Sequence, residues 1–93
     1  GTRVTHNRVV ANTGRGILLR SQATNTGVSG NTISGTLRTS TNFGDGDGIY
    51  LTNCSGSSVS GNTVTANAGY GINEVPGHGA TVKDNTLSGN GNP

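Results

Sequence analysis

The fold of this chain is decided by the stretch Val59-Ser60-Gly61-Asn62-Thr63-Val64 and by its repetition. The stretch follows the pattern V-x-x-N-x-(V/I/L), in which asparagine always holds the same place. Three further copies occupy residues 4–9, 28–33 and 82–87. A second phrase, G-x-G-I, separates successive copies of the first and occupies residues 14–17, 46–49 and 69–72. Two phrases that alternate at one period predict a stack of nearly identical coils.

The composition favours a thin, repetitive core over the core of an ordinary globular domain. Only 28% of the 93 residues are apolar, and the chain has no Trp and no Met, whereas soluble domains are nearly half apolar. Abundant Gly, Asn, Thr and Ser would by themselves favour disorder, but the Val, Ile and Leu residues recur at regular positions. A solenoid needs only a narrow apolar column. Residues 1–93 are therefore interpreted as one β-helix segment, a piece of a longer solenoid.

The spacing of the phrases predicts the size of a coil. Successive first residues of the valine phrase lie 24, 31 and 23 positions apart, so a coil has 22–24 residues and the middle one carries an eight-residue insertion between Gly35 and Gly46. We expect two clear strands in each coil and a third near Ser57 or Ala80. The predicted fold is all-β: a right-handed, single-stranded parallel β-helix of about three and a half coils. Phe43 lies in the insertion, and insertions of this kind commonly line the binding face of a solenoid.

Stacked coils place equivalent residues above one another, about 4.8 Å apart. Asn7, Asn31, Asn62 and Asn85 are predicted to form a hydrogen-bonded ladder, because an amide both donates and accepts. The glycine pairs of the second phrase are expected at tight corners that require positive φ. The three predicted apolar columns are Val4, Val28, Val59 and Val82; Val9, Ile33, Val64 and Leu87; and Ile17, Ile49 and Ile72.

Charge and cysteine content narrow the classes of partner. The formal net charge is +2, too small to indicate nucleic acid binding, and no interleaving of aromatic and basic residues supports it. No stretch is apolar enough to predict a membrane span. Cys54 is the single cysteine, so an internal disulfide is excluded, and we interpret it as a small residue at a coil corner.

The repeated V-x-G-N-T-(I/V) and G-D-G-I-Y-L phrases resemble the parallel β-helix repeat of the pectate-lyase-like superfamily. The segment from Gly61 through Glu74 looks most like the last coils of mannuronan C5-epimerases and related alginate-acting enzymes. The resemblance implies an extracellular protein that acts on acidic polysaccharide. In those enzymes the catalytic Tyr-Gly-(Phe/Ile)-Asp-Pro-His motif lies further upstream. Residues 45–48, Asp-Gly-Asp-Gly, lack its proline and histidine, so the resemblance implies scaffold coils without the catalytic centre, and the catalytic residues are unknown.

A shorter match concerns His78. Gly77-His78-Gly79 reproduces the Gly-His-Gly triplet of polygalacturonase-type hydrolases, but the paired aspartates and the downstream Arg-x-Lys of that family are missing. A triplet in a glycine-rich chain matches easily by chance, so His78 is interpreted as a corner residue. Lys83, Tyr50 and Arg15 are also of the types that lyase chemistry requires, but their predicted positions do not converge on one point.

The candidate substrate-binding residues are Arg8, Arg15, Arg20, Asp47 and Tyr50. Arg15, Asp47 and Tyr70 occupy equivalent positions on successive coils, and Tyr50 follows on the neighbouring outward column. Guanidinium groups match carboxylate geometry, so the arginines would pair with a polyuronate while Tyr50 stacks on a sugar ring. The alternative is an ordinary surface ion pair between Arg15 and Asp47.

Two further patterns have weaker functional interpretations. Asp45-x-Asp47 would bind Ca²⁺ with loop carbonyls, or would simply form a turn; no other cofactor and no metal site is predicted. Outward threonine and serine ranks at residues 32–34, 63–65 and 86–88 resemble those of ice-binding solenoids, although threonine is also a good strand residue.

Two functions from different classes stay open. The first is the scaffold of an extracellular or secreted protein that binds or acts on acidic polysaccharide, as a lyase or an epimerase does. The second is a non-catalytic solenoid, such as a phage tail fibre, an adhesin or a stalk. Its partners would be further β-helix coils of the parent chain, or copies of itself joined end to end or as a trimer.

Overall fold

The computed structural model describes residues 2–20, 24–38, 45–75 and 79–91, and every element found there is a β-strand. Coil 1 has β1 (Arg3–Thr5), β2 (Arg8–Val10) and β3 (Arg15–Leu19), and coil 2 has β4 (Gly27–Ser29), β5 (Thr32–Ser34) and β6 (Asp47–Leu51). Coil 3 has β7 (Ser58–Ser60), β8 (Thr63–Thr65) and β9 (Ile72–Glu74), and coil 4 begins with β10 (Thr81–Lys83) and β11 (Thr86–Ser88). These described ranges contain no helix of the length and apolarity that a membrane crossing requires.

The strands stack into three parallel sheets, one on each side of the coil. Sheet 1 has the order β1-β4-β7-β10, sheet 2 has β2-β5-β8-β11 and sheet 3 has β3-β6-β9. The predicted parallel β-helix is therefore confirmed, and so is its third strand, since β7 follows Ser57 and β10 follows Ala80. Because each strand pairs with the equivalent strand one coil away, every pairing is non-local in sequence.

The register confirms the three predicted apolar columns. Val28 lies between Val4 and Val59, Ile33 between Val9 and Val64, and Ile49 between Ile17 and Ile72. The central members of all three columns, and their neighbours Val59 and Val64, are fully buried. Each such side chain contributes about 1.5–3 kcal/mol relative to an exposed position. Leu87 on β11 is 48% exposed, because no described strand covers its outer side.

The predicted asparagine ladder runs through all four coils. Asn7 Nδ2 donates to Asn31 Oδ1 at 3.1 Å, Asn31 Nδ2 to Asn62 Oδ1 at 3.0 Å, and Asn62 Nδ2 to Asn85 Oδ1 at 2.9 Å. The same amide also donates to a strand carbonyl of the preceding coil, as Asn62 does to Val28 O at 3.0 Å. The ladder therefore satisfies backbone groups at a turn where no strand pairing reaches them.

The residue before each ladder asparagine adopts the left-handed conformation. Gly30 and Gly61 have φ of 68°, while His6 and Asp84 have φ of 55° and 57°. This single left-handed residue turns the chain from sheet 1 into sheet 2. Glycine adopts it at little cost, whereas histidine and aspartate accept a modest strain.

A second ladder lies between sheets 2 and 3 and was missed from the sequence. Thr36 N donates to Asn67 Oδ1 at 3.0 Å, and Asn67 Nδ2 donates to Asn90 Oδ1 at 2.9 Å. The signal in the sequence is an alanine or glycine directly before each ladder residue. Two of these residues, Ala66 and Gly89, adopt the left-handed conformation in the structure. The threonine in coil 2 interrupts the run of asparagines, and this concealed the pattern.

The expected positive φ is found only at the first glycine of the first two pairs. Gly14 and Gly46 have φ of 95° and 91°, but Gly69 and the second glycine of each pair have no positive φ. At Gly48 an added Cβ would lie 2.6 Å from Val64 Cγ1 and 2.7 Å from Gly71 O. The second glycine is therefore required because adjacent coils approach closely, not because of its backbone conformation.

The backbone hydrogen bonds locate the insertion at residues 38–45. Gly14 N donates to Leu37 O at 2.9 Å, and Gly14 O accepts from Gly46 N at 2.5 Å. Leu37 pairs with Thr13. Thr13 and Gly14 are consecutive in coil 1, so the chain of coil 2 leaves the stack after Leu37 and rejoins it at Gly46. Residues 39–44 of the insertion, with Phe43, lie outside the described residues.

Candidate functional site

The outer face of sheet 3 brings two of the predicted binding residues together. Leu18, Tyr50 and Asn73 lie in register on β3, β6 and β9. Arg15 lies at the start of β3, and its Cζ is 5.1 Å from the centroid of the Tyr50 ring. A guanidinium at this distance from a tyrosine face makes a cation–π interaction, and the planar guanidinium group matches the geometry of a carboxylate.

Asp47 lies in register with Arg15, as predicted, but it is not on the surface. Its side chain is 1% exposed. Oδ1 accepts a hydrogen bond from Tyr70 N at 2.7 Å, and Oδ2 accepts one from Asn73 Nδ2 at 2.9 Å. The expected exposure of Asp47 in a surface ion pair is wrong, because its carboxylate turns toward coil 3 and accepts hydrogen bonds from donors there. Asp47 connects adjacent coils and supports Asn73 beside Tyr50.

Arg20 and Arg8 occupy different parts of the surface. Arg20 is exposed directly after β3, where it lines a cavity of about 310 Å³ with Val4, Leu18 and Leu19. Arg8 is exposed on β2 in sheet 2, paired with Thr32. Arg20 follows the same strand as Arg15, whereas Arg8 belongs to a different sheet. The five predicted residues therefore do not form one cluster.

Arg38 was not among the predicted binding residues, although it begins the insertion. It is exposed, and its Nε donates to the carbonyl oxygen of Asp45 at 3.0 Å, which ties the two ends of the insertion together. Its guanidinium passes beside Gly69, where an added Cβ would lie 3.1 Å from Arg38 Nη2. The signal in the sequence was its position at the first inserted residue, in the same coil as Tyr50.

The described residues offer no obvious metal centre or catalytic cluster. They contain no group of three or more His, Cys, Asp and Glu side chains that would hold a metal ion. Both carboxylate oxygens of Asp47 already accept protein hydrogen bonds, which argues against the Asp45-x-Asp47 calcium site. Lys83 lies on β10 in sheet 1, away from Tyr50 in sheet 3, and His78 lies outside the described residues.

Sheet 2 carries the predicted hydroxyl ranks on its outer face. Thr32, Thr63 and Thr86 lie in register, and the residues two positions later form a second rank. Arg8 and Val10 interrupt both ranks in coil 1. The ranks are regular but short, and they lie on a different face from the Arg15–Tyr50 pair.

Cys54 lies in the apolar core with no exposed surface. Burial raises the pKa of its thiol, and the negative charge of Glu74 raises it further. A buried thiol with a raised pKa is a poor nucleophile. Cys54 is therefore a packing residue, as interpreted from the sequence.

The three parallel sheets and the asparagine ladders define the protein as a parallel β-helix. Comparison with protein families gives the same class. The family model described as "Right handed beta helix region" matches residues 1–93. The chain belongs to this family, and the predicted right-handed coil is confirmed with it. Comparison with curated proteins and with solved structures gave no match.

Proposed function

We propose that this chain is the β-helical scaffold of an extracellular protein, and that sheet 3 binds an acidic polysaccharide. The observation that supports this most directly is the Arg15 guanidinium over the ring of Tyr50, at 5.1 Å. The pair combines a carboxylate-binding group with an aromatic surface on one outward face. Uronate polymers present both chemical features, a carboxylate and a ring with an apolar face.

Neighbouring residues extend this candidate site along the stack. Leu18 and Asn73 flank Tyr50 on the coils before and after it, and they supply an apolar contact and an amide. Arg38 lies at the start of the insertion, and Arg20 at the end of β3. A sugar chain lying along the axis of the solenoid would pass these groups in turn. Arg8, on sheet 2, would be reached only by a chain that crosses the corner between the sheets.

The kind of polymer is taken from the resemblance to mannuronan C5-epimerases and related alginate-acting enzymes. We propose alginate and pectate as the first candidates on that ground. The protein as a whole would act as a lyase or an epimerase. We assign no catalytic residue to this chain, because Lys83 lies on sheet 1, away from Arg15 and Tyr50 on sheet 3. The proposed contribution of this chain is therefore binding and scaffolding.

Calorimetric titration with alginate and pectate oligomers tests the proposal. The wild-type chain is expected to bind at least one polymer, and Arg15→Gln and Tyr50→Leu should each weaken binding by roughly fivefold or more. Arg3→Gln is the matched control, since Arg3 is an exposed arginine on sheet 1, and its binding should equal that of the wild type. Equal affinity in all four chains would refute the site, and binding to no acidic polymer would refute the polysaccharide function.

A structural solenoid is the second candidate function, and the exposed strand edges favour it. Leu87 is 48% exposed on β11, although its column is fully buried in coils 2 and 3. The amide of Asn85 likewise ends a ladder that would continue into any coil stacked on it. End-to-end or trimeric association would cover these groups. Sedimentation velocity over a range of concentrations distinguishes the two candidates: a stalk associates, whereas a binding scaffold stays monomeric and binds uronates.

A further inference from the structure

Asn90 and Gly91 form the only Asn-Gly pair in the sequence. Asparagine is one of the chemically labile residues of proteins. Its side-chain amide carbon is open to attack by the backbone nitrogen of the next residue, and glycine, with no Cβ, hinders this attack least. In coils 1, 2 and 3 the equivalent positions hold Asn12-Thr13, Thr36-Leu37 and Asn67-Ala68. Coil 4 alone combines the ladder asparagine with a following glycine.

The folded chain holds both reacting groups in hydrogen bonds. Asn90 Oδ1 accepts from Asn67 N at 3.1 Å and from Asn67 Nδ2 at 2.9 Å, while Asn90 Nδ2 donates to Val64 O at 3.0 Å. The attacking atom, Gly91 N, donates to Asn67 O at 2.8 Å. The side chain and the nitrogen are thus fixed separately against coil 3, and both sets of bonds must break before the nitrogen reaches the amide carbon.

Packing explains why a labile pair is present in a ladder. A Cβ added at Gly91 would overlap the carbonyl oxygen of Ala68, so the backbone of coil 4 lies directly on coil 3 at this point. The structure therefore requires glycine here for close approach, and the second ladder requires asparagine before it. The reactive dipeptide results from two independent structural demands.

We propose that Asn90 is a site of spontaneous deamidation, closed while coil 4 is docked on coil 3 and opened when coil 4 detaches. On opening, Gly91 N loses its proton to solvent and forms a bond to the Asn90 amide carbon. The bond from that carbon to Nδ2 breaks, and ammonia leaves with a proton from water. The cyclic imide is then hydrolysed by a second water molecule to aspartate or to isoaspartate, with no change in oxidation state.

The modification would make detachment one-way. Aspartate keeps an acceptor for Asn67 but removes the donor to Val64 O, and it places a carboxylate against that carbonyl oxygen. Isoaspartate in addition lengthens the backbone by one carbon atom and breaks the register of the turn. Aspartate would thus lose the bond to Val64 O, and isoaspartate would end the second ladder at coil 3.

Peptide mass mapping of the full chain over time tests the proposal, since deamidation adds about 1 Da to the Asn90 peptide. The rate should be roughly tenfold or more lower in native buffer than in urea above the unfolding transition. The ratio of the two rates should match the hydrogen-exchange protection of the Gly91 amide, because one opening event exposes both. Equal rates in the two conditions, or no deamidation in urea, would overturn the proposal.

The consequence for coil 4 has its own test. Asn90→Asp should increase hydrogen exchange at Gly91 by roughly tenfold, because the bond from the side chain to Val64 O is lost and a carboxylate faces that carbonyl. Asn92→Asp adds the same charge two residues further on and is the matched control, expected to leave this rate near that of the wild type. If both variants exchange at the wild-type rate, the proposed one-way detachment is wrong.

Discussion

At the residue scale, the amide group explains why asparagine holds the ladder positions. Asn62 accepts from Asn31 N at 2.9 Å and from Asn31 Nδ2 at 3.0 Å through one oxygen, and its own Nδ2 donates to Val28 O, Ser60 O and Asn85 Oδ1. A carboxylate would accept but not donate, and a stack of carboxylates would repel. Only an amide of this length repeats the pattern from coil to coil.

Replacing a central ladder residue should therefore be costly. Asn62→Ala leaves several buried backbone and amide groups without partners, and we expect a loss of about 3 kcal/mol in the free energy of unfolding. Asn7→Ala makes the same change at an exposed end of the ladder and should cost about 1 kcal/mol or less. Urea unfolding of the two variants measures the difference. Equal losses would contradict the view that the buried part of the ladder stabilises the stack.

The buried thiol of Cys54 predicts a dependence of stability on pH. Its raised pKa means that the unfolded chain loses the thiol proton at a lower pH than the folded chain does. Stability from this group is therefore fully present below the ordinary pKa of the thiol and is lost as the pH rises through the folded-state pKa. Urea midpoints from about pH 7 to 10 should decline more steeply for the wild type than for Cys54→Ala. If the urea midpoints of the wild type and of Cys54→Ala decline in parallel, Cys54 contributes nothing to the pH dependence of stability.

At the scale of elements, strands of three to five residues are too short to be stable alone, and they depend on close stacking. Gly48 in β6 illustrates the limit on this approach, because its neighbours leave no room for a methyl group. Gly27 in β4 is different: an added Cβ there would meet no atom within 4 Å. The two glycines look alike in the sequence, yet only one is required by packing.

The same substitution at these two glycines should have opposite results. Gly48→Ala forces β6 away from Val64 and Gly71 and should cost about 2–3 kcal/mol. Gly27→Ala should be neutral or stabilise by up to about 0.5 kcal/mol, because it reduces the freedom of the unfolded chain. Thermal and urea unfolding of both variants measure these changes in the free energy of unfolding. A tolerated Gly48→Ala would mean that the coils are less closely packed than the structure indicates.

At the scale of the whole molecule, the stack of coils closes across the base of the insertion. Gly14 bonds to both Leu37 and Gly46, so the stack is continuous across the base of the insertion. Removing residues 38–45 would join Leu37 to Gly46 and give coil 2 the 23-residue length of coil 3. We therefore expect that the fold does not require the insertion.

Deletion of residues 38–45 should leave the fold intact. We expect an unchanged β-sheet signal in circular dichroism and a free energy of unfolding within about 1 kcal/mol of the wild type. Deletion of residues 58–65 is the control, since it removes the same number of residues but takes away β7 and β8, and it should prevent folding. Loss of the β-sheet signal in the first deletion would show that the insertion is part of the folded unit.

Sequence periodicity was sufficient to determine the coils, the three apolar columns and the first ladder, since repeated residues in repeated coils necessarily stack. Close packing and side-chain direction depend on neighbours that are distant in the chain, and only the tertiary structure decided them. It turned Asp47 inward onto Tyr70 N, brought Arg15 over Tyr50, bonded the backbone of Thr36 to Asn67 in the second ladder, and distinguished Gly48 from Gly27. A period states which residues are equivalent, but the space around each depends on the coil above and the coil below.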